Sequence, residues 1–177
     1  MSVVLEATLP PGYGTVNPFV AVTGAGGAGG FVGFVAEVFD GRETLAARTV
    51  DSDDLLIHAE VRVGSSTIMV CDSKPDWPFT PALLQVYVGD ADQVVRRAVA
   101  RGAAVVTSST PFHGNQRLAR VMDPWHNLWW LFEYGDDSVA PSEAPDELPR
   151  WRPDPAAPPS YVKRTVVAAF GRLGPPQ

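Results

Sequence analysis

The chain has 177 residues, of which 45% are hydrophobic and 19% charged, so it is long enough for one domain with extensions and can bury a core of ordinary size. Its formal net charge is -6 at pH 7 and it has no basic run, which argues against a nucleic-acid-binding protein. The single cysteine, Cys71, excludes an internal disulfide framework and a cysteine-rich zinc site.

The start of the chain lacks the basic region and the long apolar core of a signal peptide. No apolar run approaches the roughly 20 residues that a helix needs to span a bilayer. We therefore expect a cytoplasmic protein that has neither a membrane nor a nucleic acid as its partner.

The first half of the chain predicts one strand, one helix and then three strands. Residues 1–16 are interpreted as an N-terminal arm. The predicted elements that follow are a strand at 17–22, a helix at 31–39 and strands at 43–50, 55–63 and 66–71.

A glycine-rich segment lies between the first strand and the helix, and residues 24–29 have the G-x-G-x-x-G spacing of dinucleotide-binding loops. Such proteins continue with alternating strands and helices, whereas three strands follow here. We therefore favour a flexible glycine-rich loop before the helix over a nucleotide site.

The second half of the chain repeats the pattern. Asp90 is placed to cap a helix and Gly102 to end it. The predicted elements are a strand at 82–88, a helix at 90–101 and strands at 104–108, 117–122 and 128–134. The order βαβββ therefore occurs twice, in modules over 17–72 and 81–134, and it indicates an α+β domain over 17–136.

Residues 137–177 form a proline-rich tail. We expect 141–159 to be extended or disordered because it is rich in proline, alanine and acidic residues. Residues 160–173 predict a short amphipathic helix that docks on a partner subunit or on its own domain.

Several motifs stand in a characteristic order along the chain. They are the strand His58-Ala59-Glu60-Val61 with Gly64, the helix start Val88-Gly89-Asp90, and the turn Asp123-Pro124-Trp125-His126-Asn127 before a tryptophan-containing last strand. This set resembles the vicinal-oxygen-chelate superfamily, which includes the glyoxalase and bleomycin-resistance proteins, and its PhnB-like branch in particular. The resemblance implies two βαβββ modules that form a curved mixed sheet around a cleft, and a homodimer.

Metal enzymes of this superfamily use four strand positions, which are normally His, Glu or Gln. The resemblance places Asn17, Met69, Leu83 and Trp130 at these positions. None of these four is a good ligand for a hard metal. We therefore predict no metal and no other cofactor, and we keep a metal enzyme as an alternative.

Alternation along the strands indicates which side chains face the cleft. In the strand at 55–63, Ala59 and Val61 are expected to pack under the helix, while His58 and Glu60 face the cleft. The side chains that we predict to bind a ligand are Asn17, Phe19, His58, Glu60, Met69, Gln85, Tyr87, Arg117 and Trp130.

His58 and Glu60 are also the candidates for acid–base catalysis or for metal binding, since they are two residues apart on one strand face. The simpler interpretation of this pair is an ion-paired polar face of the sheet. Our leading functional hypothesis is metal-free binding of a small, partly aromatic or apolar molecule in the cleft. The alternatives are a metal-dependent lyase, isomerase or dioxygenase, and a metal-free acid–base enzyme of a biosynthetic pathway.

Overall fold

The structure is a computed structural model and describes residues 8–112, 116–135 and 158–176. The first module consists of β1 (Phe19–Val22), α1 (Gly27–Phe39), β2 (Arg42–Glu43), β3 (Thr49–Val50), β4 (Leu56–Val63) and β5 (Ser66–Asp72). The second module consists of β6 (Leu83–Val88), α2 (Ala91–Ala100), β7 (Ala104–Pro111), β8 (Gln116–Met122) and β9 (Leu128–Tyr134). A further helix, α3 (Tyr161–Phe170), follows the second module.

Each module folds into its own mixed sheet. Sheet 1 has the strand order β1-β5-β4-β2, with β3 also paired to β4, and sheet 2 has the order β6-β9-β8-β7. In both sheets the first strand of the module runs parallel to the last, and the other pairings are antiparallel. The predicted α+β fold of two βαβββ modules is confirmed, with a separate mixed sheet for each module where one curved sheet was predicted.

The prediction of one continuous strand over 43–50 is wrong. The chain leaves the sheet after Glu43, makes a 3₁₀ turn over Leu45–Ala47 and returns to β4 at Thr49. Leucine and alanine favour helical backbone over extended backbone, and an ion pair between Glu43 and Arg48 (2.6 Å) closes the turn. Local propensity therefore interrupts the strand at this position.

Helix α1 begins at Gly27, four residues before the predicted start at 31. The carboxylate of Asp72 accepts hydrogen bonds from the backbone N–H of Ala28 (2.7 Å) and of Leu56 (2.7 Å). A Cβ atom on Gly27 would clash with this carboxylate, and one on Gly30 would lie 3.1 Å from the side chain of Trp125. The glycines therefore allow close packing around the helix start, where Asp72 occupies the position that a bound anion would take.

The second helix agrees with its prediction. The Asp90 side chain accepts a hydrogen bond from the backbone N–H of Gln93 (2.7 Å), as an N-cap should, and α2 ends at Ala100. Within the described residues, no helix has the length and apolar character needed to cross a membrane. The predicted C-terminal helix is present as α3, whereas the tail segment predicted to be extended lies almost wholly outside the described residues.

One aromatic cluster joins the two modules. Phe31 and Phe39 of α1 stack on the indole of Trp129 in β9, with ring centroids 6.1 Å and 4.7 Å apart. Trp129 is completely buried, and Trp125 packs edge-on against Phe31 at 5.6 Å. Truncating a buried aromatic side chain of this kind costs about 3–5 kcal/mol, so this cluster is a major source of stability.

The turn that leads into β9 is organised by the buried carboxylate of Asp123. It accepts hydrogen bonds from the backbone N–H groups of Trp125 (2.9 Å) and Asn127 (2.8 Å), from the Asn127 amide (3.0 Å) and from the indole N–H of Trp129 (2.9 Å). Burial raises the pKa of Asp123, although these donors favour the charged form. His126 has a φ of 63° in this turn, and its Nδ1 lies 2.5 Å from the carbonyl oxygen of Gly174 in the tail.

Candidate functional site

The face of each sheet opposite the helices is called the cleft face here. In sheet 1 it carries Phe19, Met69 and Glu60, which are neighbours in register across β1, β5 and β4. The predicted alternation is confirmed, because Ala59 and Val61 are fully buried on the helix side of β4. Four of the predicted site residues, Phe19, His58, Glu60 and Met69, therefore share one cleft face.

Glu60 is the polar centre of this face and is only 6% exposed. Its Oε1 atom accepts a hydrogen bond from the hydroxyl of Tyr13 and lies 3.0 Å from Nε2 of His58. Burial raises the pKa of Glu60, but the hydrogen bonds from Tyr13 and His58 outweigh burial and bring it below its ordinary value. The same hydrogen bond raises the pKa of Tyr13. Glu60 is therefore an anion at neutral pH.

The N-terminal arm covers this part of sheet 1. Besides the Tyr13 contact, the hydroxyl of Thr67 donates a hydrogen bond to the carbonyl oxygen of Gly12 (2.7 Å). The side chain of Asn17 closes a turn of the arm, because it bonds both the N–H (3.0 Å) and the carbonyl (2.8 Å) of Gly14. A cavity of about 280 Å³ remains between the arm, Glu60 and the 3₁₀ turn.

The cleft face of sheet 2 carries a row of polar and aromatic side chains. Gln85, Trp130, Arg120 and Thr107 are neighbours in register across β6, β9, β8 and β7. Gln85 donates a hydrogen bond to the hydroxyl of Tyr87 (3.1 Å), and Tyr87 is 67% exposed. The predicted residues Gln85, Tyr87 and Trp130 therefore lie together on the second cleft face.

Helix α3 covers the other end of this row. Thr165 bonds Thr107 through their hydroxyls (2.7 Å), and Phe170 lies against Trp130 with ring centroids 6.3 Å apart. Arg120 lies over the indole ring of Trp130, with 5.2 Å between its Cζ atom and the ring centroid. Each cleft face is thus partly covered by a terminal segment of the chain.

A cavity of about 760 Å³ lies between the two sheets and is called the inter-sheet cavity. One wall comes from the segment at 16–18 and from the start of β5, and the opposite wall comes from β6 and α2. Ile68, Leu84 and Trp129 supply apolar surface, and an ion pair between Arg97 and Asp40 (3.0 Å) stands at the rim. Gln85 and Tyr87 border this cavity, whereas the other predicted site residues do not.

Arg117 is not brought together with the other predicted site residues. It stands opposite Glu133 in β9, on the helix side of sheet 2, and its guanidinium lies 3.6 Å from the carboxylate of Asp92 in α2. It also donates hydrogen bonds to the hydroxyl of Ser109 (2.9 and 3.1 Å).

The four positions that hold metal in the superfamily do not fit a metal here. Asn17 is engaged with the backbone of Gly14, and Met69, Leu83 and Trp130 have no oxygen or nitrogen that binds a hard cation. In the described ranges, no group of three or more His, Cys, Asp or Glu side chains is placed to hold a metal ion. Cys71 is buried, and burial raises the pKa of its thiol, so it is an inert side chain.

Three polar residues lie at the cleft faces without having been predicted there from the sequence. Tyr13 lies in the arm, and nothing local indicates that it folds back over β4. Arg120 lies in a strand whose alternation does place it on the cleft face, and the isolated arginine between Ala119 and Val121 was the available signal. Thr107 follows an irregularity in β7 that shifts the alternation, so no local pattern indicates its face.

Solved structures with the same fold come from several bacteria. TioX from Micromonospora sp. ML1 has a TM-score of 0.52 and 22% identity, and the match covers 68% of this chain and 95% of TioX. The PhnB protein from Bacillus cereus has a TM-score of 0.53 and 16% identity over 67% of this chain and 98% of that protein. The fosfomycin resistance protein FosX from Listeria monocytogenes has a TM-score of 0.51 and 13% identity, and the match covers 69% of this chain and 93% of FosX.

The fold is therefore the one that the sequence motifs predict, and it is shared with TioX, PhnB and FosX. The uncharacterised protein Mb0911c of Mycobacterium bovis is 30% identical over 106 residues, and the match covers 54% of this chain and 68% of that protein. The chain belongs to the same family as this mycobacterial protein. The uncharacterised protein Rv0887c of Mycobacterium tuberculosis is equally similar, but the chain spans only 61% of its length. No protein-family model matches the chain.

Proposed function

We propose that the protein binds a small, partly aromatic or apolar molecule without turnover and without a metal, and that the inter-sheet cavity is the binding site. The observation that carries this proposal is the cavity of about 760 Å³ with apolar walls. Pockets for small molecules usually have about 300–1,000 Å³ and a few polar groups that orient the ligand. Gln85 and Tyr87 supply such groups at its border, and Tyr87 also supplies an exposed aromatic ring there.

Fluorescence and ligand-observed NMR provide the first test. Trp129 lines the cavity, so a bound aromatic molecule such as 1-naphthol is expected to change the tryptophan emission. In the variant Val88→Phe the larger ring enters the cavity, and binding is expected to weaken at least about tenfold, in line with loss of the contact area. Val105→Phe is the matched control, since Val105 is exposed on β7 and away from the cavity. Equal affinity in both variants would overturn the choice of site.

A metal-free acid–base enzyme is the second candidate, and the hydrogen-bonded chain Tyr13–Glu60–His58 favours it. A carboxylate that accepts from Nε2 of His58 leaves Nδ1 as the free base, which is how carboxylates orient catalytic histidines. An activity with a bell-shaped pH profile that disappears in His58→Ala but survives in Tyr13→Phe would support this candidate. Tight binding with no turnover would support the binding protein.

A metal-dependent lyase, isomerase or dioxygenase is the third candidate, with His58 and Glu60 as ligands. The side chains at the superfamily's metal positions argue against it. Elemental analysis of untagged protein before and after chelation separates this candidate from the others. Near-stoichiometric zinc, iron, manganese or nickel would favour the metal enzyme and contradict a metal-free binding protein.

We also propose that the protein is a cytoplasmic homodimer. Phe19 and Leu83 support the dimer, because they are exposed on the edge strands β1 and β6, where a second subunit would cover them. Sedimentation velocity of the purified protein tests it, and a monomer at all concentrations up to about 100 µM, a range in which dimers with micromolar Kd assemble, would contradict it.

A further inference from the structure

Arg120 is a buried cation with no anionic partner in the part of the chain that the structure describes. Its side chain is in β8 on the cleft face of sheet 2, and the residue is only 6% exposed. No carboxylate of the described residues forms an ion pair with it. Its Nε atom is buried and has no hydrogen-bond acceptor among the described ranges 8–112, 116–135 and 158–176. Such an arrangement is costly, because buried charges are normally paired with a counter-ion.

The acceptors that Arg120 does have are neutral oxygens. Its Nη1 atom donates to the carbonyl oxygen of Val162 in α3 (3.0 Å) and to the hydroxyl of Thr107 (3.2 Å). Burial lowers the pKa of Arg120, and no neighbouring anion offsets this effect. A planar oxyanion would accept two parallel hydrogen bonds from the Nε and Nη groups, and these are stronger than bonds to a neutral carbonyl.

Helix α3, which supplies the Val162 carbonyl, is held loosely. Ala169 is its one buried side chain, and Tyr161, Val167 and Phe170 remain exposed. Besides the bond from Arg120 to the Val162 carbonyl, its polar contacts with sheet 2 are the bond from the backbone N–H of Ser108 to the Tyr161 hydroxyl (3.0 Å) and the hydroxyl pair of Thr165 and Thr107. Its apolar contacts are those of Ala169, Val166 and Phe170 with the cluster around Trp130. An apolar ligand body on the same cluster would replace this contact when α3 moves aside.

The surroundings of Arg120 suit a small molecule with an apolar body. Val106, Leu128 and Met122 form an apolar cluster with Trp130, and Trp130 presents its ring face to the guanidinium. We propose that Arg120, together with Thr107 and Trp130, binds the carboxylate of a small apolar ligand, and that this carboxylate takes the place of the Val162 carbonyl when α3 moves aside. This site is on a different surface from the inter-sheet cavity and does not depend on the function proposed for that cavity.

Benzoate is a suitable probe, with the neutral isostere benzamide as its control. Calorimetric titration of the full-length protein at constant ionic strength is expected to detect binding of benzoate and no binding of benzamide. Arg120→Met keeps the volume and removes the charge, and it is expected to weaken benzoate binding at least about tenfold, the value of one charge-assisted hydrogen bond. Arg96→Met is the matched control, because Arg96 is exposed on α2, and it should bind benzoate like the wild type.

Two further measurements test the displacement of α3. Benzoate is expected to speed hydrogen exchange of the α3 amides, because a ligand that binds the open state shifts the population towards it. Tyr161→Phe removes the bond to Ser108, and it is expected to tighten benzoate binding about threefold to tenfold, as loss of one hydrogen bond from the closed state predicts.

The outcomes are distinct. Benzoate binding that depends on Arg120 and speeds exchange in α3 supports the proposal. Binding that is equal in Arg120→Met, or that leaves exchange in α3 unchanged or slower, overturns it. The proposal is also overturned if neither the wild type nor Tyr161→Phe binds benzoate. Binding of 1-naphthol in the inter-sheet cavity should be the same in Arg120→Met and wild type, so failure of one proposal leaves the other testable.

Discussion

The guanidinium of Arg120 lies 5.2 Å from the ring centroid of Trp130, and the two residues are direct neighbours across β8 and β9. A cation over an indole face gains about 0.5–2 kcal/mol, which offsets only part of the cost of burying a charge without a counter-ion. Arg120 is therefore expected to contribute little to the stability of the fold.

Arg120→Met is accordingly expected to leave the free energy of unfolding within about 1 kcal/mol of wild type or to raise it, because a methionine fills similar volume without the cost of a buried charge. Urea denaturation monitored by circular dichroism measures the change. A loss of more than about 2 kcal/mol would indicate that Arg120 is mainly a structural residue.

Asp123→Asn is expected to destabilise the protein by about 3 kcal/mol. Each carboxylate oxygen of Asp123 accepts two hydrogen bonds, and the NH₂ group of asparagine cannot accept any. Whichever oxygen the NH₂ group replaces, two hydrogen bonds are therefore lost in a buried turn. Thermal and chemical denaturation measure the effect. Asp54→Asn, at an exposed position, is the control and should change stability by less than about 0.5 kcal/mol.

Two glycines of α1 are expected to respond in opposite directions to alanine. Gly33→Ala should stabilise the protein by about 0.5–1 kcal/mol, because alanine favours the helix and its Cβ would meet no atom within 4 Å. Gly30→Ala should destabilise it by about 1–3 kcal/mol, since its Cβ would press on the backbone at Ala25 and on the Trp125 side chain. Denaturation curves of the two variants decide this, and equal effects would contradict the described packing.

Glu60→Gln is expected to remove part of the acid sensitivity of the protein. The pKa of Glu60 is lower in the folded protein than in the unfolded chain. Its charged form therefore stabilises the fold above about pH 4.3, and this contribution is lost as the pH falls through the folded pKa. The stability difference between wild type and Glu60→Gln should be constant near neutrality and should shrink at acid pH.

Urea denaturation between pH 3 and 7 measures this difference. Asp76→Asn, which removes one carboxylate at an exposed position, is the control. A difference that grows as the pH falls would show that Glu60 is less acidic in the folded protein than the structure indicates.

Local patterns were sufficient to predict most of the fold. The apolar positions of α2 with its Asp90 cap, and the alternation of β4 and β6, identify elements and faces without knowledge of the tertiary structure. The segment 43–50 was misjudged because its three short pieces are too brief for any periodicity to appear. The helical start at Gly27 was missed because it depends on Asp72, which is distant in sequence.

The composition of the candidate site was only partly predictable. Strand alternation brings Phe19, His58, Glu60 and Met69 to one face and Gln85, Tyr87 and Trp130 to another. The contacts that cover these faces join residues far apart in the chain, such as Tyr13 with Glu60 and Thr107 with Thr165. No local pattern encodes such pairs, so the covering of the cleft by the arm and by α3 required the structure.

The packing of α1 against Trp129 bears on what the internal repeat means for folding. A helix of the first module completes the core of the second. Neither module therefore keeps a packed core when the other unfolds. Unfolding should therefore occur in one cooperative step for both halves, and the emission of the buried Trp129 would report on both at once. The two repeats are thus a single folding unit, and expression of either half alone should yield a chain without fixed tertiary structure.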